Sequence, residues 1–202
     1  MNHQYKITLL LLWVLIHGSC ASLKTTQTYN QEFSQAKQTA QKELSATLEK
    51  IPNGTETQYG FNSRDEFQSA EIGNPFNYYG FNGSTLEKSK TVTIPIIVAD
   101  EFRALASVDY ITDTLHIVDF GATELAREIQ KVQKENASLT FVGLLRVYQI
   151  RSDFVIMAKS NEYIFFPLTS ATMYLQSSGL SKAEKHYTQS QIAEIIKSAP
   201  NE

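Results

Sequence analysis

Near residue 91 the apolar repeat changes from every third or fourth residue to every second, and this switch limits the fold more than any other feature of the chain. Upstream lies YNQEFSQAKQTAQKELSATLEKI, in which Tyr29, Phe33, Ala36, Ala40, Leu44, Leu48 and Ile51 recur at three- and four-residue steps among Gln, Lys, Thr and Glu. That spacing predicts one apolar stripe on a long amphipathic helix, packed on its own domain rather than on a partner. Pro52-Asn53-Gly54 ends it, since these residues break helices. Downstream, TVTIPIIVA places Val92, Ile94, Ile96 and Val98 on one face of a strand. Pro95 within it cannot donate a ladder hydrogen bond, which predicts an edge strand or a bulge.

The alternating pattern continues. FRALASVDYI and TLHIVDF form a hairpin about Thr112-Asp113. TELAREIQKVQKEN returns to helical spacing through Leu125, Ile129 and Val132. LTFVGLLRVYQI, DFVIMAKS and EYIFFPLT form a second meander, turning at Arg151-Ser152-Asp153 and Ser160-Asn161, and Ile192, Ile195 and Ile196 mark a last helix. Strands joined by hairpins are antiparallel. The expectation is therefore an α+β domain in two layers: a sheet of about six antiparallel strands, with one face against the long first helix and the 123–135 helix. In layout alone this resembles the cystatin-like and PAS-like exported modules, and layout does not assign function.

Residues 53–90 read as irregular, rich in Asn, Gly, Ser and aromatics. Tyr-Gly-Phe-Asn occurs at 59–62 and again at 79–82, too few copies for a repeat array. Ser63 with Glu66 fits a capping box and predicts a short helix over Arg64–Glu71, after which Gly73-Asn74-Pro75 turns the chain.

The first twenty residues carry an address. Met1–Lys6 is polar with one lysine, Ile7–Ile16 is apolar except for Thr8, and His17-Gly18-Ser19-Cys20-Ala21 supplies small residues. This is the layout of a secretory signal peptide, and its apolar run is too short to span a bilayer. Two cleavages fit. Ser19-Cys20-Ala21 suits ordinary signal peptidase cutting after Ala21. Gly18-Ser19-Cys20 resembles the lipobox of bacterial lipoprotein precursors, with His17 where that family prefers Leu, Val or Ile. The resemblance covers residues 1–20 and implies a cut before Cys20, whose thiol would receive a diacylglycerol. Cys20 is the only cysteine, and an odd cysteine in an exported chain needs an explanation, which favours the lipid. The expected organisation is a signal at 1–20, a tether at 21–28 and one domain over 29–202. The expected place is the outer membrane or another periplasm-facing membrane as a lipoprotein, and otherwise the periplasm or medium.

Removing residues 1–20 takes away one lysine and no acid, leaving 17 basic residues against 21 acidic, a net of −4. That balance argues against a nucleic-acid partner, which wants a basic stripe. Only His116 and His186 survive cleavage, without a Cys or His at ligand spacing, so no metal and no cofactor is expected. No Gly-x-Ser-x-Gly elbow presents a nucleophile, and the Asp-Phe-Gly at 119–121 lacks the glycine-rich and catalytic loops of a kinase. Asp109, Asp113 and Asp119 cluster about one hairpin, where turn preference explains Asp113 more simply than acid–base work. Asn53, Asn82 and Asn136 begin Asn-x-Ser/Thr triplets that read as turn-rich surface in a bacterial chain.

NPFNYYGF, residues 74–81, is the candidate binding segment. Phe76, Tyr78, Tyr79 and Phe81 lie in a Gly/Asn-rich stretch, and loop aromatics bury much area at low entropic cost. The same aromatics could instead plug the gap between helix and sheet. Three functions follow: a non-catalytic, lipid-anchored envelope binding or accessory protein with a protein or glycan partner; an inhibitor or immunity protein blocking an exported enzyme; and a hydrolase centred on His116 or the Asp109–Asp119 hairpin. The address is testable directly. Mass spectrometry of the native N-terminus should find Cys20 carrying diacylglycerol, and a mature chain starting at Ser22 would show that Cys20 is discarded with the signal.

Overall fold

The structure is a computed structural model that describes residues 31–82, 85–160, 162–179 and 184–199. Cys20 lies outside the described residues. Residues 36–202 form one compact unit.

Among the described residues the fold is α+β, built on one mixed sheet of nine strands. Helix α1 occupies 31–49. Two short 3-10 turns follow, Glu56–Tyr59 and Arg64–Ser69, then strands β1 (Glu71–Ile72), β2 (Phe76–Asn82), β3 (Thr85–Val98), β4 (Glu101–Ile111) and β5 (Thr114–Gly121). Helix α2 (Thr123–Glu135) leads to β6 (Thr140–Val147), a 3-10 turn at Tyr148–Ile150, β7 (Ser152–Lys159) and β8 (Glu162–Pro167). Helix α3 (Thr169–Ser177), β9 (Tyr187–Thr188) and α4 (Gln189–Ser198) close the chain. The spatial order is β5-β4-β3-β2-β6-β7-β8-β9, with β1 also on β3. Every pairing is antiparallel except β2 with β6.

The helices do not share one face of the sheet. In β4, Ala104 and Ala106 pack with Leu44 and Leu48 of α1, while Leu105 between them packs with Ala126 and Ile129 of α2. Successive strand residues point to opposite faces, so α1 and α2 cover opposite sides. In β7, Val155 and Met157 join the α2 cluster, whereas Phe154 and Ile156 pack with Ala171 and Leu175 of α3 and Ile192 and Ile195 of α4. Helices α1, α3 and α4 therefore lie on one face and α2 on the other. This corrects the expected two-layer arrangement: one layer of helices cannot bury a sheet whose strands are apolar on both faces.

The sheet also exceeds the expected six strands. The 53–90 region contributes β1, β2 and the first residues of β3, and β9 adds an outer rung. The two Tyr-Gly-Phe-Asn copies differ in conformation. At 59–62 the chain turns, with Gly60 at φ +91 and Phe61 buried, whereas 79–82 is strand. The Arg64–Glu71 helix is a 3-10 turn ending at Ser69, and its capping box does not form. Glu66 instead accepts from the Asn62 backbone N–H, the Asn62 side chain and Arg103.

Strand β3 is interior, flanked by β4 on one side and by β1 and β2 on the other, which corrects the edge position expected from Pro95. The Pro95 carbonyl accepts from Gly73 N–H at 2.8 Å. A strand residue directs its N–H and C=O to the same side. The missing donor of Pro95 thus faces Gly73-Asn74-Pro75, where β1 breaks before β2, and no rung is lost. A register shift does occur one residue later, between Ile96 and Ile97 against β4.

The β2–β6 seam joins the two meanders through only three residue pairs, Asn77↔Gly143, Tyr78↔Leu144 and Tyr79↔Leu145. Ladder bonds contribute about 1 kcal/mol each net, less than the roughly 1.5–3 kcal/mol from fully burying one large apolar side chain. Burial therefore dominates: Phe76, Leu144 and Leu145 are each no more than 1% exposed. Close approach at the seam needs Gly143, because a Cβ there would run into the Asn77 carbonyl and the Tyr79 ring. Gly143→Ala should lower the unfolding free energy by about 3 kcal/mol through overpacking. Gly80→Ala, where a Cβ meets nothing, should stay within about 0.5 kcal/mol in the same urea titration.

Candidate functional site

A cleft of about 360 Å³ opens where β2, β3 and β6 run side by side past the seam. Tyr78, Tyr79 and Gly80 of β2 form one wall, Glu87, Lys88, Ser89 and Thr91 of β3 another, and Arg146 with Tyr148 the third. Strands β2 and β3 shift register here, while the β2–β6 pairing ends at Tyr79–Leu145. Asn77 pairs with Val92 and Tyr79 with Lys88, so two extra β3 residues bulge out. Asn77, fully buried, fills the bulge by donating Nδ2 to the carbonyls of Ser89 at 3.4 Å and Thr91 at 3.3 Å.

Arg146 is held on two sides. Its Nε donates to Asp153 Oδ1 at 2.8 Å and Nη2 to Oδ2 at 3.1 Å, a bidentate pair across the β6–β7 rung Arg146↔Asp153. Its guanidinium carbon lies 4.8 Å from the centre of the Tyr78 ring, within cation–π range. The hydrogen bonds to Asp153 outweigh burial and hold the Arg146 proton more tightly than usual. Burial pushes the Tyr78 hydroxyl up to about 12 despite the nearby Arg146 charge, so it keeps its proton across the neutral range. Tyr148 starts the 3-10 turn after β6 and is 75% exposed at the rim.

The four aromatics expected on a loop lie on strand β2 instead. The reason is that β2 lies between β3 and β6, which satisfy its backbone on both sides. Phe76 is core, stacked edge-on to Phe141 at 5.2 Å. Phe81 packs partly buried against the cluster under α3 and α4. Only Tyr78 and Tyr79 reach the cleft. Arg146, Asp153 and Tyr148 were not legible as site residues from sequence. The available signal was an Arg and an Asp seven apart across RVYQIRSD, the spacing of a cross-strand pair.

The remaining candidates tie elements together. His116 Nδ1 lies 2.8 Å from Glu43 Oε1 on α1, and Ile117 N–H donates to Glu43 Oε2 at 2.8 Å, so one carboxylate fastens α1 to edge strand β5. A carboxylate only accepts, so Nδ1 carries the proton. Asp109, opposite His116 in the ladder, accepts from Thr91 Oγ1 at 2.6 Å and Tyr110 N–H at 2.7 Å. Asp119 accepts from Phe120 N–H at 2.9 Å, and Asp113 is a turn residue at φ +64. The His186 ring lies tilted against Phe166, their centres 5.7 Å apart. Among the described residues no three His, Cys, Asp or Glu side chains stand together as metal ligands, and no helix is long and apolar enough to cross a membrane.

No family model matches the chain, and no curated protein or solved structure matches it.

Burial raises the Glu43 carboxyl, but the Ile117 and His116 hydrogen bonds and the nearby positive charges together bring it below its ordinary 4.5. A carboxylate depressed in the folded state adds stability above its unfolded value, and that contribution disappears as pH falls through the folded value. In urea titrations from about pH 6 down to about pH 3, Glu43→Gln should be less stable than the parent above 4.5, the difference closing toward the acid end.

Proposed function

We propose that this is an exported, lipid-anchored binding protein of the cell envelope, holding its ligand in the β2–β3–β6 cleft without a chemical step. The observation that carries the reading is the state of Arg146. It is already paired with Asp153 and stacked on Tyr78, a rigid group suited to recognition, since preorganised donors lose little entropy on binding. The signal-like first twenty residues support export, Cys20 supports the anchor, and the polar stretch to residue 28 serves as a spacer.

One observation favours an inhibitor or immunity protein. The register brings Tyr110 and Ile111, 63% and 52% exposed, to the same end of the sheet as Tyr148. Exposed apolar side chains at one end suit a protein contact.

Hydrogen exchange of the mature chain, with and without detergent-solubilised envelope from its own source, separates the readings. Slowed amides at 78–80 and 146–148 support ligand capture in the cleft. Slowing that centres on 110–111 supports the inhibitor. Unchanged exchange at both places overturns the binding role.

A further inference from the structure

Taking the cleft as the binding site, we infer that its ligand is a neutral pyranose ring of a glycan, stacked on Tyr148 and hydrogen-bonded by Arg146 and Glu87. The first ground is the nature of the apolar surface. Side-chain apolar area in the cleft comes from tyrosine faces, the stems of charged residues and the Thr91 methyl; among the described residues no Leu, Ile, Val, Met or Phe lines it. A lipid chain or an apolar peptide side chain would find no aliphatic wall and would strip water from Arg146 and Glu87 without pairing them. A sugar ring has the complementary character. Its axial C–H face packs on a flat aromatic ring while its equatorial hydroxyls reach polar groups at the edge. Tyr148 presents such a ring, 75% exposed, at the rim.

The second ground is the hydrogen-bonding inventory. Asp153 takes Nε and Nη2 of Arg146, so Nη1 retains two N–H donors for a ligand. Glu87 accepts from Asn82 Nδ2 through Oε1 at 2.7 Å and retains Oε2 as an acceptor. A hydroxyl both donates and accepts, so one polyol satisfies both groups. Net charge points the same way. Arg146 is neutralised by Asp153 behind it, and Glu87 lines the same cleft. A carboxylate or phosphate would meet the Glu87 carboxylate, and a cation would meet the Arg146 guanidinium. The volume of about 360 Å³ falls at the lower end for ligand pockets, room for one or two sugar rings.

The single tryptophan, Trp13, lies in the signal-like segment, so a mature Tyr148→Trp chain emits from the cleft alone. It should be titrated with tetrasaccharides of glucose, galactose, mannose and N-acetylglucosamine, and with glucuronate oligomers. A saturable emission change with at least one neutral sugar is expected, weakened at least tenfold by Arg146→Lys, which keeps the charge but loses the fork. Calorimetry on wild type should give the same affinity order, and Tyr148→Ala, at an exposed position, should abolish the heat. A response to glucuronate alone, to every sugar equally after Arg146→Lys, or to none overturns the inference. A photocrosslinker at 148 in intact cells separates this failure from that of the cleft. A protease-sensitive adduct overturns the sugar and keeps the binding site, whereas no adduct together with no sugar response overturns both.

Discussion

The parallel contact of β2 with β6 makes two antiparallel meanders into one sheet. Three residue pairs are too few to hold it by hydrogen bonds alone, and the seam depends on side chains that leave it in both directions. Leu144 enters the cluster under α2, and its neighbour Leu145 enters the cluster under α3 and α4. Helix α2 depends on the same contact, since its cluster draws Leu105 from one meander and Val155 and Phe166 from the other. Parting the seam would leave α2 without a continuous floor. Gly143 permits the approach, because any side chain there would meet the β2 backbone.

The cleft is a by-product of that seam. Strand β2 pairs with β6 on one side and with β3 on the other, and its register against β3 shifts by two residues between Asn77 and Tyr79. The mismatch is taken up in β3 as the bulge at Ser89–Thr91, with the Asn77 amide satisfying the displaced carbonyls. The β2–β6 pairing ends at Tyr79–Leu145 while β2 and β3 pair on to Asn82–Thr85, and the rung next to the end of β6 places Arg146 against Asp153, with its guanidinium over Tyr78. Arg146 and Glu87 are thus each held by a partner on a neighbouring strand, Asp153 on β7 and Asn82 on β2.

Elsewhere the same economy recurs. Glu43 fastens α1 to the exposed edge of β5 by taking a backbone N–H that no further strand would satisfy. Thr188 and Gln191 form the capping box that starts α4, the motif expected at Ser63 and Glu66 but realised here instead. At Ser63 the box is pre-empted because Asn62 and Arg103 occupy both Glu66 oxygens.

Periodicity by itself determined the elements whose apolar residues recur at a regular step along the sequence. The stripe Ala36, Ala40, Leu44, Leu48 is α1, Val92 to Val98 is β3, and the hairpin at Thr112-Asp113 stands where its turn residues place it. The antiparallel order within each meander followed from short connections. Strand β2 was hidden, because Phe76 and Asn77 are both buried and the pattern neither alternates nor repeats by turns. Helix α3 was hidden for a related reason: its buried face is only Ala171 and Leu175. Which face each helix covers, and that β2 meets β6, involve residues tens of positions apart whose pairing depends on complementary volume, and no local period records that. The site belongs to this second kind. Tyr78, Glu87, Arg146 and Tyr148 carry no spacing motif, and only the tertiary pairing of three strands brings a ring, a fork and a carboxylate to one cleft.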